Sequence, residues 1–203
     1  PGGWHDAPIV HLGPVAHEIA GEFGRLFPGA LLGLTAQGFL RTWGDGSVVQ
    51  PGRWSGDNAL LDTCDVVFFS EEDLRGDDRF LQQCIETVPI VALTRGARGV
   101  TLFWEGRHEQ FPAAEAREVD PTGAGDVFAA AFLIEYNLTR DPRHSAAFAC
   151  CAASFAVEST GLLGIPDRRA AEGRLSTYPA DMGRTANARP PAGGDTGGIP
   201  ESI

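Results

Sequence analysis

Four short apolar runs constrain the fold of this chain more strongly than any other feature of its sequence. They are APIVHL (7–12), which contains β-branched residues, ALLGLT (30–35), the continuous apolar run CDVVFFS (64–70), and PIVALTR (89–95). A continuous apolar strand suits a parallel sheet that is covered on both faces. Segments with helical spacing at 15–27 and 77–88 separate these runs, so the sequence predicts an α/β fold with a largely parallel sheet.

The rest of the chain predicts hairpins, further helices and a tail. Segment 99–112 reads as two strands joined at Glu105–Gly106, and the turn-rich segment 43–54 reads as a second hairpin. Helices are predicted at about 124–137, 142–158 and 167–175. From Ala180 onward the chain has few apolar residues and much Gly and Pro. We therefore expect one domain over 1–179 and a disordered tail over 180–203.

Composition and charge limit the classes of partner. The chain has 203 residues and a net charge of -11, which argues against nucleic acid and anionic membranes because both are bound by basic surfaces. No apolar run approaches the ~20 residues of a membrane span, and the first residues lack the features of a signal peptide. We expect a cytoplasmic protein that acts on a small molecule.

The cysteines and histidines do not indicate a metal site. Cys64, Cys84, Cys150 and Cys151 contain no C-x-x-C pair, and we interpret them as small buried residues in a reducing compartment. The histidines are scattered along the chain. His11 lies inside a predicted strand and is interpreted as a satisfied core residue rather than a base.

The segment EVDPTGAGDVFAAAFL (118–133) places small residues directly ahead of an apolar helix. The small side chains here leave uncovered the backbone N–H groups of Gly123, Ala124 and Gly125. At the start of a helix the first N–H groups lack partners and the helix dipole favours an anion. Asp126 follows in the first turn. An anion site beside a carboxylate predicts group-transfer chemistry. The alternative is an Asp that only stabilises the helix dipole.

Several motifs now resemble those of the ribokinase-like (PfkB) family of sugar and nucleoside kinases. DPTGAGD resembles the family signature D-T-x-G-A-G-D, and LTRGARG (93–99) resembles its T-x-G-x-x-G turn. VVFFSEEDL (66–74) resembles the strand that ends in N-x-x-E, and GIP (164–166) resembles the turn before the last helix. The resemblance covers about 7–176 and implies a three-layer ribokinase-like sandwich. It matches the later two-thirds of a family member, whose N-terminal part and lid are not visible here.

The resemblance implies roles for the glycine-rich segments. Asp126 would be the base that takes the proton of an acceptor hydroxyl, and Gly123, Ala124 and Gly125 would form the anion hole for the γ-phosphate of ATP. Thr94, Gly96 and Gly99 would contact the nucleotide. From the residues alone, the turn that holds these last three can equally be an ordinary connection between two strands.

The resemblance also implies metal ligands, with departures from the family pattern. Mg²⁺ would lie near Asp73 and Glu72, although Ser70 replaces the family's Asn and Asp73 its Glu. An acidic first helical turn capped by Ser70 is the alternative for Asp73. Asp120 and Thr122, together with carbonyls of the loop 158–164, would hold a monovalent cation such as K⁺. A loop-capping role is the alternative for Asp120.

The acceptor is the least constrained part of the site. Gln37 and Arg41 follow a predicted strand and are candidate contacts to a sugar or nucleoside-like substrate, with ordinary exposed side chains as the alternative. The chain begins with Pro, so we expect it to be part of a longer gene product. The resemblance leaves a homodimer open for the full-length protein. The alternative function is a nucleotide-binding module, or a truncated kinase fragment, without catalysis.

Overall fold

The structure is a computed structural model that describes residues 5–44, 48–76, 78–179 and the backbone of Ala186–Asn187. Its strands are β1 (Ile9–Leu12), β2 (Leu31–Thr35), β3 (Arg41–Trp43), β4 (Val49–Pro51), β5 (Val66–Ser70), β6 (Ile90–Thr94), β7 (Val100–Trp104), β8 (Arg107–Phe111) and β9 (Ala186–Asn187). Its α-helices are α1 (Asn58–Leu61), α2 (Glu71–Leu74), α3 (Arg79–Thr87), α4 (Ala124–Thr139), α5 (Pro142–Ala156) and α6 (Arg168–Leu175). Single 3₁₀ turns lie at Gly21–Leu26, Ala36–Leu40, Gly96–Arg98 and Gly161–Gly164.

One sheet of seven strands organises the described part of the chain, in the order β1-β2-β5-β6-β7-β8-β9. β1, β2, β5 and β6 are mutually parallel, and the sheet then continues antiparallel through β7, β8 and β9. The predicted α/β fold with a mostly parallel sheet is therefore confirmed. Because parallel strands end at one edge, the segments that follow β1, β2, β5 and β6 all begin on the same side of the molecule.

Helices cover both faces of this sheet, so the architecture has three layers. Alternate residues of each central strand point to opposite faces. In β5, Val66 and Phe68 lie in the core under α4 and α5, whereas Val67 and Phe69 lie in the core under α1 and α3. All four residues are almost completely buried, which explains why the strands are continuous apolar runs.

The two hairpins are confirmed. β7 and β8 pair antiparallel, and Glu105 and Gly106 join them with φ of 49° and 70°. Two successive positive φ values are the geometry of the tight turn that matches strand twist. β3 and β4 form the second hairpin, and its tip, 45–47, lies outside the described residues.

The predicted helix over 15–27 is wrong, apart from the 3₁₀ turn at Gly21–Leu26. The carboxylate of Glu18 accepts hydrogen bonds from the backbone N–H groups of Val15 (2.8 Å) and Ala16 (2.6 Å). His17 has a φ of 61°. These local bonds satisfy the backbone in a non-helical conformation, so the apolar spacing of this segment is not used by a helix.

The predicted disordered tail lies outside the described residues, apart from Ala186–Asn187. The backbone of these two residues pairs with Arg107 and His108 at the edge of the sheet. For the rest of 180–203 disorder stays a prediction. Among the described residues, none of the helices combines the length and the apolar character that crossing a bilayer requires.

The burial that was predicted for the four cysteines is confirmed. Cys64, Cys84, Cys150 and Cys151 are free and buried. Burial raises the pKa of the Cys64 and Cys150 thiols to about 12 and that of Cys151 to about 11. Thiols that stay protonated in the core are poor nucleophiles and poor metal ligands.

Two buried carboxylates tie the helical layer together. Glu109 of β8 is buried and receives hydrogen bonds from Arg143 Nε (2.8 Å) and Nη2 (2.7 Å) at the start of α5. Glu135 of α4 binds His144 of α5 (3.1 Å) and Arg168 of α6 (2.7 Å). The Glu109–Arg143 and Glu135–Arg168 pairs join elements that are distant in sequence, and the Glu135–His144 pair joins the consecutive helices α4 and α5. Together these pairs fix how the helices are arranged.

Removing Arg143 should therefore lower the free energy of unfolding more than breaking a surface ion pair does. We expect Arg143→Ala to lower the free energy of unfolding by about 2–4 kcal/mol, because Glu109 stays buried without its two donors. Glu172→Ala breaks the exposed Arg168–Glu172 pair (3.2 Å) and should cost less than about 0.5 kcal/mol. Urea unfolding of both variants checks this. Equal losses would show that the Glu109–Arg143 pair behaves as a surface pair.

Candidate functional site

The start of α4 has the geometry that an anion site requires. Gly123 is the N-cap residue with φ 83° and ψ -4°, and no side chain caps the helix. A Cβ atom placed on Gly123 or Gly125 would meet nothing within 4 Å, so open space lies beside both residues. Ala124 donates its N–H to the Pro121 carbonyl at 3.2 Å. Of the predicted donors, Gly123 and Gly125 are thus the better candidates for a ligand.

Asp126 is exposed in the first turn of α4, close to the carboxyl end of β1. His11 of β1 is half-buried, and its Nε2 lies 2.8 Å from Thr35 Oγ1 at the end of β2. Burial lowers the pKa of His11, and the Asp126 carboxylate opposes this as a weaker effect. His11 is a satisfied residue as interpreted, but sequence reasoning missed that it lies within electrostatic reach of Asp126.

The turn after β6 is closely fitted to its surroundings. The Thr94 hydroxyl donates to the Phe69 carbonyl at 3.3 Å, and the Arg95 N–H donates to the Gly99 carbonyl at 2.8 Å. Gly96 has φ 54° and open space beside it. Gly99 has φ 85°, and a Cβ there would collide with the backbone of Phe111–Ala113. Gly99 is therefore required by the fold, whereas Gly96 leaves the turn accessible.

The segment Ser70–Asp73 forms a capping box at the start of α2. The Ser70 hydroxyl accepts from the Glu72 N–H (3.1 Å), and the Asp73 carboxylate accepts from the Ser70 N–H (2.8 Å). The alternative interpretation of Asp73, an acidic first turn capped by Ser70, is thus correct as local structure. Ser70 is the Cα partner of Thr94 in the sheet, so the segments after β5 and β6 start side by side.

Glu71 joins these two segments, which the sequence reasoning did not foresee. Its carboxylate forms an ion pair with Arg98 and lies 3.7 Å from Arg95 Nε. Both arginines belong to the turn that contains Gly96 and Gly99. The sequence signals were the two arginines inside LTRGARG and the acidic run after β5. Their pairing depends on the register of β5 and β6.

The turn before α4 is tied to the end of α5. Val119 and Asp120 donate their N–H groups to the Val157 carbonyl at 2.7 Å and 3.1 Å. The Asp120 carboxylate accepts from the Thr122 N–H at 3.0 Å, and hydrogen bonds from Thr122 lower the pKa of Asp120. The loop 158–164 follows directly. The residues predicted to hold a monovalent cation are therefore neighbours, with Asp120 ionised at neutral pH.

The described residues contain no cluster of three or more His, Cys, Asp or Glu side chains arranged for a metal ion. That arrangement is what Zn²⁺ would require. Mg²⁺ usually keeps several waters and is held by one or two carboxylates together with substrate phosphates. Asp73 and Glu72, on α2 directly after β5, offer two carboxylates that are compatible with that second pattern.

Gln37 and Arg41 lie beyond the carboxyl end of β2, as predicted. Both are half-buried, Gln37 within the 3₁₀ turn Ala36–Leu40 and Arg41 at the start of β3. The close approach of Gly38 to the Pro14 backbone holds this turn against the segment after β1. A role of Gln37 and Arg41 in binding a substrate stays a prediction.

Comparison with known proteins places the chain in a family. The sequence profile of the pfkB family of carbohydrate kinases matches residues 48–168. The nucleoside kinase of Methanocaldococcus jannaschii is 33% identical over 78 residues, which are 38% of this chain and 26% of that protein. The chain belongs to the pfkB family.

Solved structures show the same fold. The ribokinase of Thermotoga maritima superimposes with a TM-score of 0.67 at 21% identity, over 83% of this chain and 57% of that one. An Arabidopsis thaliana ribokinase, solved with ribose and ATP, has a TM-score of 0.65 at 25% identity, over 83% of this chain and 56% of that one. The chain thus spans a little over half the length of these ribokinases.

The open space beside Gly125 generates a prediction that separates folding from binding. Gly125→Ala should preserve or raise stability, because Ala favours helix by about 0.5–1 kcal/mol over Gly. Its methyl group would enter the anion site and lower affinity for Mg-ATP about tenfold, the equivalent of one lost hydrogen bond to a charged group. Calorimetric titration and thermal unfolding measure the two effects.

A matched control for this prediction lies in α6. Gly173 is also helical, with nothing within 4 Å of a Cβ, so Gly173→Ala should raise stability and leave nucleotide affinity unchanged. Unaltered nucleotide binding by the Gly125→Ala protein would exclude the start of α4 as the phosphate site.

Proposed function

We propose that this chain is the nucleotide-binding and catalytic part of an ATP-dependent small-molecule kinase. It would transfer the γ-phosphate to a hydroxyl of a sugar or nucleoside-like substrate. The observation that carries the proposal is the start of α4. There an uncapped glycine N-terminus with open space at Gly123 and Gly125 lies beside the exposed carboxylate of Asp126. Membership of the pfkB family supports the same reaction class.

In the proposed reaction, Asp126 accepts the proton of the acceptor hydroxyl as its oxygen attacks the γ-phosphorus. A new O–P bond forms, the bond between the γ-phosphorus and the β–γ bridging oxygen breaks, and ADP leaves with that oxygen. The N–H groups of Gly123 and Gly125 stabilise the charge on the transferred group. Phosphoryl transfer depends mainly on positioning and charge stabilisation, and a rigid helix start provides both.

The other residues singled out in the sequence have supporting roles in this proposal. Thr94, Gly96 and Gly99 shape the turn that receives the nucleotide phosphates. Asp73 and Glu72 would hold Mg²⁺, directly or through water, and the bound ion would neutralise phosphate charge. Asp120, Thr122 and carbonyls of the loop 158–164 would hold K⁺, which would steady the turn that begins α4. Gln37 and Arg41 face the acceptor.

The proposed base is tested by Asp126→Asn. Transfer should fall by about 10²–10⁴-fold because the base and its charge are both lost, while binding of Mg-ATP persists. Product formation is followed over a panel of sugars and nucleosides, in this chain and in any longer gene product that contains it. Glu172→Gln, an exposed change on α6, is the charge control. Near-normal turnover by Asp126→Asn would refute the assignment.

A second candidate is a nucleotide-binding module without catalysis. The observations that favour it are the partial span relative to the ribokinases and the use of Asp73 as a helix-capping group. The same panel distinguishes the two candidates. Saturable binding of ATP or ADP without phosphorylated product, in this chain and in any longer gene product that contains it, would support the module.

The proposed cation site predicts a dependence on potassium. Replacing Na⁺ by K⁺ at constant ionic strength should strengthen Mg-ATP binding, because the cation fixes the turn beside Gly123. Asp120→Asn retains an oxygen acceptor for the Thr122 N–H but removes the charge, so the K⁺ effect should shrink. Asp57→Asn is the control, since Asp57 caps α1 in the same way (2.9 Å to the Ala59 N–H). An unchanged K⁺ effect in Asp120→Asn would exclude Asp120 as a ligand.

A further inference from the structure

Three charged side chains meet between the segments that follow β5 and β6. Glu71 is the first residue of α2, and Arg95 and Arg98 belong to the turn after β6. One oxygen of the Glu71 carboxylate, Oε1, contacts Arg98 Nη2, and the other, Oε2, lies 3.7 Å from Arg95 Nε. One carboxylate is therefore shared by two guanidinium groups.

The backbone, rather than the side chains alone, creates this meeting. Ser70 and Thr94 are Cα partners in the sheet, so the residues that follow them, Glu71 and Arg95, leave neighbouring strands together. The capping box of Ser70 and Asp73 fixes the first turn of α2. The bond from the Arg95 N–H to the Gly99 carbonyl closes the other turn. Both partners are thus held in place before any ligand arrives.

The pairing leaves one donor unsatisfied. Arg95 Nε is buried and has no hydrogen-bond partner, because 3.7 Å to Glu71 is an ion-pair distance but too long for a hydrogen bond. A buried N–H without a partner is costly, and a charged one more so. The cluster of Glu71, Arg95 and Arg98 forms in the free protein, yet Arg95 Nε remains a donor that an anion can use.

We propose that Glu71 is a positioning residue that holds Arg95 and Arg98 at the turn after β6. Its carboxylate also competes with the nucleotide phosphates for these two arginines. This inference rests on the proposed function. In the free protein the carboxylate pairs with both guanidinium groups of the turn that contains Gly96. When polyphosphate binds, the arginines turn to it, and the charge of Glu71 remains nearby as a repulsive neighbour. Glu71 thereby weakens the hold on ATP and on ADP and speeds release of ADP.

The test is Glu71→Gln, which keeps the shape of the side chain and removes its charge. We expect Mg-ATP and ADP to bind on the order of threefold to tenfold more tightly, with a steeper loss of affinity as salt is raised. KM for ATP should fall, and kcat should fall with it where ADP release limits turnover. In the Arg95→Gln/Arg98→Gln background, Glu71→Gln should have no further effect on affinity.

The control is Glu105→Gln. Glu105 also pairs with an arginine, Arg107 (2.9 Å), but at the opposite end of β7, so nucleotide affinity should not change. Weaker binding together with a lower melting temperature in Glu71→Gln would overturn the proposal and assign Glu71 to the fold. Unchanged affinity in Glu71→Gln, with normal binding by the unmodified chain, would also overturn it. Absence of nucleotide binding by the unmodified protein would instead defeat the proposed function, and this inference with it.

Discussion

The close approach of α4 to the sheet determines where the candidate site lies. Gly33 of β2 makes this approach feasible, because a Cβ at that position would collide with the side chain of Leu133. Phe128 and Phe132 of α4 pack against Phe68 of β5, with ring centroids 6.2 Å and 5.6 Å away. With the helix axis fixed by these contacts, its first turn is brought to the edge where the parallel strands end. Asp126 can then act electrostatically on His11 of β1. Substrate is proposed to bind at this same edge of the sheet.

Charged groups are used differently away from the site and within it. Away from the site, Glu109 of β8 and Glu135 of α4 are buried, and each carboxylate is matched by strong donors on another element. At the turn after β6 the matching is incomplete, because Arg95 Nε is buried without a hydrogen bond. Folded chains satisfy buried polar groups almost everywhere, and departures are expected where a ligand completes the arrangement. Among the described residues, Thr101 Oγ1 and His108 Nδ1 are also buried without a hydrogen bond, but neither belongs to a segment that was predicted to contact the nucleotide. Arg95 belongs to such a segment, which is the physical reason to look for function there rather than at the better-formed ion pairs.

Sequence reasoning succeeded where the signal is local. The apolar strands, the turn at Glu105–Gly106 and the long helices α4 and α5 were predicted because periodicity and turn chemistry decide them over a few residues. The segment 15–27 was misjudged because Glu18 binds nearby backbone groups, which competes with a helix that apolar spacing alone suggests. The pairing of Glu71 with Arg95 and Arg98, and the proximity of His11 to Asp126, could not be predicted. Both depend on strand register and helix placement, which no short stretch of sequence encodes.

The segment Ser70–Asp73 shows how a local structure can survive a change in a functional motif. A capping box needs a short hydroxyl at the first position and an acceptor three residues later, and Ser with Asp meets both needs here. The same Asp is then partly occupied by the Ser70 N–H (2.8 Å), and it is one methylene shorter than the Glu of the family pattern. A metal held by such a group would depend more on water and on substrate phosphate. The N–H groups at the start of α4 and the two arginines beside Glu71 would then have to neutralise more of the phosphate charge. The balance among the charges of Glu71, Arg95 and Arg98 would therefore set the nucleotide affinity.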